Sequence, residues 1–433
     1  MIFISGRTTQ LARILHKCNN SYFPSSQYGR RLLSTIDGKK LEKTCAVLWG
    51  NGDFGRLGLG TLDSKWTPSH ISSAAFSDLN LKSIACGGAH TLFLTESGRV
   101  FACGLNSFGQ LGVAIDETPY SMEPMEVNGF DDEVSHISAG YYHSCAITVD
   151  GKLYAWGKNS SGQLGLGKSA KGVISEPKKI SGLDDVKIKV AALGSEHTIA
   201  VTGEGEALTW GGGDSGQLGH GRKFGISRIL QSSCEYTPRL VKALEGKKIT
   251  SVSAGLLHSS CVDDKGTAYL FGGANLLGFK RSRNDQIPSE VSDLPSSKLV
   301  SCGGYHSCVI TRGGELYTFG SNENGCLGIG YASDAQLPER VRAEFEALSV
   351  DKVSCGWKHT AAISGGKIFT WGWGGSNGTF FVDELSSGGQ LGHGDDVDYC
   401  YPMMIELADS FNALEVSCGF NHTGAILQLQ EPQ

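Results

Sequence analysis

The segment Cys355–Ile363 carries residue types that could form a chemical site. Its sequence, CGWKHTAAI, places His359 three residues after Gly356 and directly before the hydroxyl of Thr360. Histidine changes its charge near neutral pH and is a common metal ligand, so one such residue could act as a base or hold an ion. The same pattern, however, occurs seven times along the chain.

The seven copies of Gly-x-x-His-Ser/Thr follow one another at intervals of 48 to 63 residues and use seven of the 12 histidines. A residue that recurs in every repeat does not mark a single active site, so we interpret both positions as structural. We expect the glycines where neighbouring units crowd and a Cβ atom would clash, and each histidine in a hydrogen bond within its own unit. The pairs are Gly87 and His90, Gly140 and His143, Gly194 and His197, Gly255 and His258, Gly303 and His306, Gly356 and His359, and Gly419 and His422.

The residue before the motif glycine argues against a metal centre. A position that accepts either alanine or cysteine is typical of a small buried slot. The 13 cysteines include no CxxC pair, and their spacing matches no zinc pattern. The sequence therefore predicts no metal and no cofactor. The residues at this position include Cys86, Cys302, Cys355 and Cys418, with Ala139 and Ala254 in two other copies.

Two further signatures recur in phase and define the structural elements. One is an aromatic residue or cysteine before a glycine that leads to Gly-Gln-Leu-Gly, and the other is proline followed three residues later by valine or isoleucine. Segments such as HTAAI and KIFTWG alternate apolar and polar residues across a glycine turn, which predicts a β-hairpin. The proline segment suits an outer edge strand, because proline lacks the N–H group. Together the signatures predict an all-β, seven-bladed β-propeller with four strands per blade.

The two chain ends predict how the ring closes. Residues 45–50 supply a tryptophan-glycine strand with no histidine segment before it, and residues 418–428 supply a histidine segment with no such strand after it. One blade shared between the ends would remove open sheet edges at the seam. We assign residues 45–428 to the propeller, 34–44 to a short linker and 429–433 to a C-terminal tail.

Residues 1–33 have the composition of a transit peptide. They contain five basic residues, no acidic residue and a short amphipathic segment, LARILHK. Arg31, Leu32 and Leu33 before Ser34 resemble a mitochondrial processing site, which predicts cleavage after Leu33 and a location in the mitochondrial matrix; a disordered basic tail is the alternative. Residues 34–433 hold 33 basic and 44 acidic residues, a net charge of −11 that disfavours bulk binding to phosphate backbones.

The repeated signatures resemble those of the regulator of chromosome condensation family over residues 45–428. Segments such as AALGSEHT and AGLLHS are most similar to a plant mitochondrial member. That resemblance implies a non-enzymatic role in the splicing of organellar transcripts and so in respiratory complex I biogenesis. Founding members of the family imply guanine-nucleotide exchange instead. The ultraviolet-B photoreceptor branch uses clustered tryptophans in Gly-Trp-Arg-His-Thr segments, of which only Trp357 matches in this sequence, followed by Lys358.

Individual function is expected where the chain departs from its own repeat. A 12-residue insertion between Gly372 and Gly392 is aromatic, and we weigh a partner-binding loop against a loop that covers its own blade. Two basic loops in consecutive units would contact RNA phosphate or an acidic partner, or else be solvated loops. The candidate interaction residues are Trp373, Phe380, Phe381, Asp383 and Glu384 in the insertion, and Arg222, Lys223, Lys280, Arg281 and Arg283 in the basic loops.

The sequence indicates a binding protein and no enzyme, because it contains no Walker loop, no HExxH and no Gly-x-Ser-x-Gly motif. No apolar run approaches the ~18 residues of a membrane span, so we expect no membrane insertion. We predict a monomeric propeller whose partners are organellar proteins, including RNA-processing factors, with direct and indirect RNA contact both open. The alternatives are an exchange factor or regulator of an organellar GTPase, and a protein-assembly factor without RNA contact.

Overall fold

The fold is built from short antiparallel strands. The computed structural model describes residues 35–36, 39–40, 43–76, 79–114, 119–221, 233–273, 286–342, 349–375 and 388–430. Seven four-stranded sheets form within them, which confirms the all-β, seven-bladed propeller. The described helical segments are four 3₁₀ turns, none long and apolar enough to cross a bilayer; they are Asp53–Gly55, Ala74–Phe76, Ser181–Leu183 and Lys242–Leu244.

The four strands of each blade follow one another in space from the inside of the ring outwards. Blade 1 contains Phe411–Cys418, His422–Leu429, Thr44–Gly50 and Lys65–His70; blade 2 contains Leu81–Cys86, His90–Thr95, Val100–Leu105 and Tyr120–Val127. Blade 3 contains Val134–Ala139, His143–Thr148, Leu153–Lys158 and Val173–Lys179; blade 4 contains Ile188–Leu193, His197–Thr202, Ala207–Gly211 and Glu235–Leu240. Blade 5 contains Ile249–Ala254, His258–Asp263, Ala268–Gly272 and Ser289–Glu290; blade 6 contains Ser297–Cys302, His306–Thr311, Leu316–Gly320 and Ala335–Arg340; blade 7 contains Val350–Cys355, His359–Ser364, Lys367–Gly372 and Tyr399–Met404.

A separate two-stranded ladder, Thr35–Ile36 with Lys39–Lys40, belongs to the unit formed by residues 1–43. The propeller belongs to the second unit, residues 44–433.

The second and fourth strands of a blade differ in burial. In blades 2 to 7 every residue of the second strand is buried, because apolar side chains of both sheet faces meet a neighbouring blade. The fourth strand is only partly buried and in six of the seven blades contains the repeated proline, as in Tyr120–Val127 with Pro124. An outer strand tolerates proline, since its missing N–H faces no further strand.

Blade 1 closes the ring. Its second strand comes from the C-terminal part of the chain and its third from the N-terminal part, and they pair with Gly50 opposite His422 and Trp49 opposite Thr423. The shared blade is therefore present, with strands that begin at Thr44 and end at Leu429.

Buried tryptophans connect four of the blades to the blade that precedes them. Four tryptophans in third strands have no exposed surface, and each indole N–H donates to a backbone carbonyl in the loop of the preceding blade at 2.9 Å. Each ring fills space between blades while its polar atom is satisfied. The donor and acceptor pairs are Trp49 and Gln390, Trp156 and Gln110, Trp210 and Gln163, and Trp371 and Cys326.

The seven motif histidines are buried, and each reaches the next blade. Every Nε2 atom lies 2.9 to 3.3 Å from the Ser or Thr hydroxyl of the following blade, and His422 completes the ring by contacting Thr91 of blade 2. Our expectation of a partner within the same blade therefore needs correction. The side chains of the second strand point at the neighbouring blade, where the equivalent hydroxyl lies.

The hydroxyls also determine that Nε2 of six motif histidines carries a hydrogen. In six interfaces the hydroxyl donates to a backbone carbonyl of the preceding blade at 2.7 to 2.9 Å. Because its proton is used there, each hydroxyl accepts from the imidazole, so Nε2 carries the hydrogen. The six hydroxyls are those of Thr91, Ser144, Thr198, Ser259, Thr360 and Thr423.

Replacing Thr91 by valine tests this bridge. The change keeps the side-chain shape but removes the hydroxyl that accepts from His422 and donates to the Arg56 carbonyl. The His422 ring loses its acceptor and the Arg56 carbonyl keeps only the weaker Cys103 thiol as donor. We therefore expect the free energy of unfolding to fall by about 2 kcal/mol, measured by urea denaturation. Thr67→Val, at an exposed strand position, is the control. A Thr91→Val protein as stable as that control would contradict the bridge.

Candidate protein-interaction surface at the channel mouth

The residue after each motif glycine lines the central channel of the propeller. This position differs from blade to blade, whereas the glycine and histidine do not. Three of the seven residues are aromatic and four are small or aliphatic. In blade order from blade 1 they are Phe420, Gly88, Tyr141, Ser195, Leu256, Gly304 and Trp357.

The aromatic residues meet across blades. Trp357 stacks on Phe420 with ring centroids 4.2 Å apart and an interplanar angle of 11°. Phe420 contacts Tyr141 at 5.2 Å, and Tyr141 contacts Tyr142 at 4.3 Å. Trp373 meets the edge of Trp357 at 5.9 Å. We call this set, together with Phe108 at 4.8 Å from Tyr142, the aromatic arc.

Two glycines make room for the arc. A Cβ atom on Gly88 would lie 2.8 Å from Cδ2 of Tyr141, and a Cβ atom on Gly304 would lie 2.5 Å from Cδ1 of Trp357. Both glycines occupy the variable channel position of the blade that precedes the aromatic one. Their missing side chains therefore let Tyr141 and Trp357 lie over the neighbouring blade.

Two lysines lie over the arc. Lys158 is 5.7 Å from the ring centre of Tyr142 and pairs with Glu196 at 2.9 Å. Lys358 is 5.0 Å from the ring centre of Trp357 and pairs with Glu323 at 2.8 Å. These cation–π contacts hold the ammonium groups beside an aromatic surface. The arc thus combines apolar rings with two ion pairs at its rim.

A buried arginine lies below the arc. Arg56 donates from Nε to the carbonyl of Asp53 at 3.0 Å and from Nη1 to the carbonyl of Gly88 at 3.4 Å. Burial lowers the pKa of its guanidinium to about 10, which leaves it charged at neutral pH. Arg56 occupies the position held by glutamine in four other repeats, so it places a positive charge where those repeats are neutral.

The surface is asymmetric. Trp357, Phe420 and Tyr141 are half-buried, so part of each ring faces solvent. The opposite side of the mouth presents Ser195 and Leu256. Aromatic side chains held rigidly by neighbours are the residues that dominate binding energy at protein interfaces. The geometry therefore suits the binding of a partner.

One sequence-predicted candidate packs against this surface but is itself buried. Trp373 is 5 % exposed, and it supports Trp357 from the side. The other nine candidates lie outside the described residues and stay predictions: Phe380, Phe381, Asp383, Glu384, Arg222, Lys223, Lys280, Arg281 and Arg283.

Sequence reasoning missed the arc because it searched this position for tryptophan alone. Phe420 and Tyr141 complete the cluster with a different ring chemistry. The available signal was the alternation of aromatic residues with Gly88 and Gly304 at one repeat position. The alternation predicts contact between these rings only if adjacent blades are known to pack side by side around the channel.

Comparison with known proteins identifies the family. The RCC1-like domain model matches residues 45–425. The chain belongs to the RCC1-like domain family. This confirms the resemblance drawn from the repeated signatures.

Relatives of this RCC1-like chain include two Arabidopsis thaliana proteins. The ultraviolet-B receptor UVR8 is 32% identical over 365 residues, which cover 83% of this chain and 77% of UVR8. The mitochondrial RCC1 domain-containing protein RUG3 is 34% identical over 294 residues, which cover 65% of this chain and 62% of RUG3. The alignment thus spans less than two thirds of RUG3. Among solved structures, Prp20p from Saccharomyces cerevisiae, described with its binding to Gsp1p and histones, is 21% identical, with a TM-score of 0.76 and coverage of 96% of this chain and 97% of Prp20p. At that identity it supports the propeller fold alone.

Proposed function

We propose that this RCC1-like chain is a non-enzymatic mitochondrial scaffold that binds a protein partner through the aromatic arc. The observation that carries the proposal is the stack of Trp357 on Phe420, continued by Tyr141, in a half-buried surface at the channel mouth. Such a surface gains binding energy when a partner covers the exposed ring faces. The net charge of −11 over residues 34–433 favours a protein over a phosphate backbone as the direct contact.

The finer role we propose is in the splicing of organellar transcripts, and through it in respiratory complex I biogenesis. Its support is the resemblance to a plant mitochondrial member, the transit-like composition of residues 1–33 and the likeness to RUG3, which is named as mitochondrial. We place the mature protein in the matrix on the same grounds. In this role, RNA is contacted through the bound partner, or directly through the basic loops with Lys280, Arg281 and Arg283.

A second candidate function is regulation or nucleotide exchange of an organellar GTPase. Prp20p, a propeller of the same fold, is described by its binding to Gsp1p. This observation is our reason for retaining the GTPase function as a candidate. An exchange factor binds the nucleotide-free GTPase most tightly, whereas a scaffold binds its partner without regard to nucleotide. A protein-assembly factor without any RNA is the third alternative.

Substitution of the arc should weaken partner binding. We expect Trp357→Ala and Phe420→Ala each to weaken partner binding by about 2 kcal/mol, roughly thirtyfold in Kd. Leu256→Ala is the matched control, because Leu256 occupies the same repeat position on the other side of the channel. The measurement is affinity purification of the tagged chain from mitochondria after ultraviolet crosslinking, with proteins and RNA both identified and the partner then titrated.

The outcomes separate the candidates. Protein recovered by the wild type and by Leu256→Ala, but lost with Trp357→Ala, supports the arc as the binding surface. Equal recovery by all three folded proteins would rule the arc out. RNA crosslinked directly to the chain would move the contact to the basic loops, and a GTPase whose capture is abolished by added nucleotide would favour the exchange function.

A further inference from the structure

Three ligand-type side chains meet at the interface between blades 6 and 7. His306 and Cys308 are two residues apart on one strand, so they project from the same face of blade 6. That face packs against blade 7, where Cys355 ends the innermost strand. One nitrogen of His306 and the two Sγ atoms all lie within 4.8 Å of one another. All three side chains are buried, with exposures of 1%, 0% and 8%.

This combination is specific to one interface among the seven. The residue two places after each motif histidine faces the residue before the next motif glycine. In the other six interfaces, at least one of these two positions lacks a thiol. Within the described residues, the group of His306, Cys308 and Cys355 is the one that brings three metal-binding atoms together. The other pairs are Gly424 and Cys86, Leu92 and Ala139, Cys145 and Leu193, Ile199 and Ala254, Ser260 and Cys302, and Ala361 and Cys418.

The histidine is oriented as a ligand. The hydroxyl of Thr360 lies 2.9 Å from Nε2 of His306 and donates to the carbonyl of Cys326 at 2.8 Å. The hydroxyl therefore accepts the Nε2 hydrogen, which leaves Nδ1 as the nitrogen that a metal ion would bind. A metal-bound histidine is normally held in this way, with its other nitrogen donating to an oxygen atom. Cys355 is fixed as well, since its backbone N–H donates to Oγ of Ser301 at 3.0 Å.

The ligand chemistry selects the ion. Two thiols and one imidazole suit zinc or copper(I) and do not suit magnesium or calcium, which prefer oxygen. Two thiolates neutralise a divalent ion, whereas a monovalent ion would leave a buried negative charge. Around a tetrahedral zinc ion the ligand atoms lie roughly 3.5 to 3.8 Å apart, a spacing compatible with three atoms that all lie within 4.8 Å of one another.

We propose that His306, Cys308 and Cys355 bind a zinc ion that joins blade 6 to blade 7. Both thiols lose their protons when the ion binds, so two protons are released. Cys355 also lines the central channel, which supplies the route of entry and a position for water as fourth ligand. The ion would add a link between two blades, independent of any partner at the aromatic arc.

The test uses substitutions that the propeller already contains elsewhere. Cys308→Ser introduces the residue found at the same position in blade 5, Ser260, and Cys355→Ala introduces the residue found before the motif glycine of blade 3, Ala139. Both are therefore expected to fold. Cys418→Ser is the matched control, because Cys418 occupies the equivalent position in blade 1 opposite Ala361. The full chain is purified without a histidine tag under a non-thiol reductant, and its zinc is measured by elemental analysis.

We expect about one zinc ion per wild-type or Cys418→Ser chain, and at least roughly tenfold less in Cys308→Ser and Cys355→Ala. Cobalt(II) added to the zinc-free chain should give thiolate charge-transfer absorption in the wild type and lose it in those two variants. A chelator should lower the Tm of the wild type and of Cys418→Ser but not that of the other two. A folded wild type without zinc or cobalt absorption, equal zinc in all four proteins, copper in place of zinc, or a disulfide between Cys308 and Cys355 would each overturn the proposal.

Discussion

The propeller is expected to lose several kcal/mol of stability as the pH falls from 7.5 to 5.5. Burial lowers the pKa of four motif histidines to about 3 and that of His197 to about 4, and it lowers the pKa of His422 well below its usual value. The four are His90, His143, His258 and His359. These rings stay neutral in the folded chain, while in the unfolded chain they take up protons below about pH 6.5.

The sign of the effect follows from this difference. The unfolded state binds more protons below pH 6.5, so the free energy of unfolding falls as the pH falls. Each of these six histidines lowers the free energy of unfolding by about 1.4 kcal/mol at pH 5.5, or about 8 kcal/mol together, against the ~5–15 kcal/mol stability of a typical domain. The seventh, His306, offsets part of this loss, because the charges of Cys326 and Cys355 outweigh its burial and raise its pKa well above the usual value. The stability contributed by neutral histidines is complete above pH 6.5 and lost progressively toward the folded pKa values near 3 and 4.

Thermal and urea denaturation at constant ionic strength between pH 7.5 and 5.5 measures the effect. Carboxylates are still ionised over most of that range, so the histidines dominate the slope. His197→Gln should have a smaller free energy of unfolding than the wild type at pH 7.5. Its free energy of unfolding should also depend less steeply on pH, because the variant lacks one ring that takes up a proton on unfolding. We expect the slope to be smaller by about 1.4 kcal/mol per pH unit in the range where that ring would be protonated. A midpoint that does not change between pH 7.5 and 5.5 would show that these rings are not shielded from protons.

Adding one methyl group at a motif glycine should also lower the stability of the propeller strongly. A Cβ atom on Gly194 would contact the ring of His197 and lie 2.5 Å from the carbonyl oxygen of Gly255 in the next blade. Neither neighbour has room to move, because the glycines of all seven blades follow one another around the channel. We expect Gly194→Ala to lower the free energy of unfolding by at least about 3 kcal/mol, from overpacking and the strained His197 hydrogen bond.

Gly182→Ala is the matched control for that substitution. Gly182 has no heavy atom within 4 Å of its added Cβ and no left-handed backbone. Its replacement should change the free energy of unfolding, measured by urea denaturation, by less than about 0.5 kcal/mol. If Gly194→Ala were as stable as Gly182→Ala, the crowding of glycines around the channel would not limit the fold.

The sequence by itself determined the architecture of this protein. Segments such as HTAAI and KIFTWG, with a glycine turn between them, specify a hairpin through neighbours a few residues apart. Proline at one repeat position specifies the outer strand, and seven signatures in phase specify seven blades. The missing halves at residues 45–50 and 418–428 specify ring closure. All of this is local periodicity, which a single chain displays directly.

Contacts between blades were decided only by the tertiary structure. His90 bonds Ser144, which is 54 residues away, and Cys308 faces Cys355 because two strands of different blades pack face to face. The aromatic arc likewise needs Gly88 of blade 2 to leave space between Phe420 of blade 1 and Tyr141 of blade 3. The spacing of residues along the chain does not predict these contacts between blades. The rotation from one blade to the next determines which side chains meet.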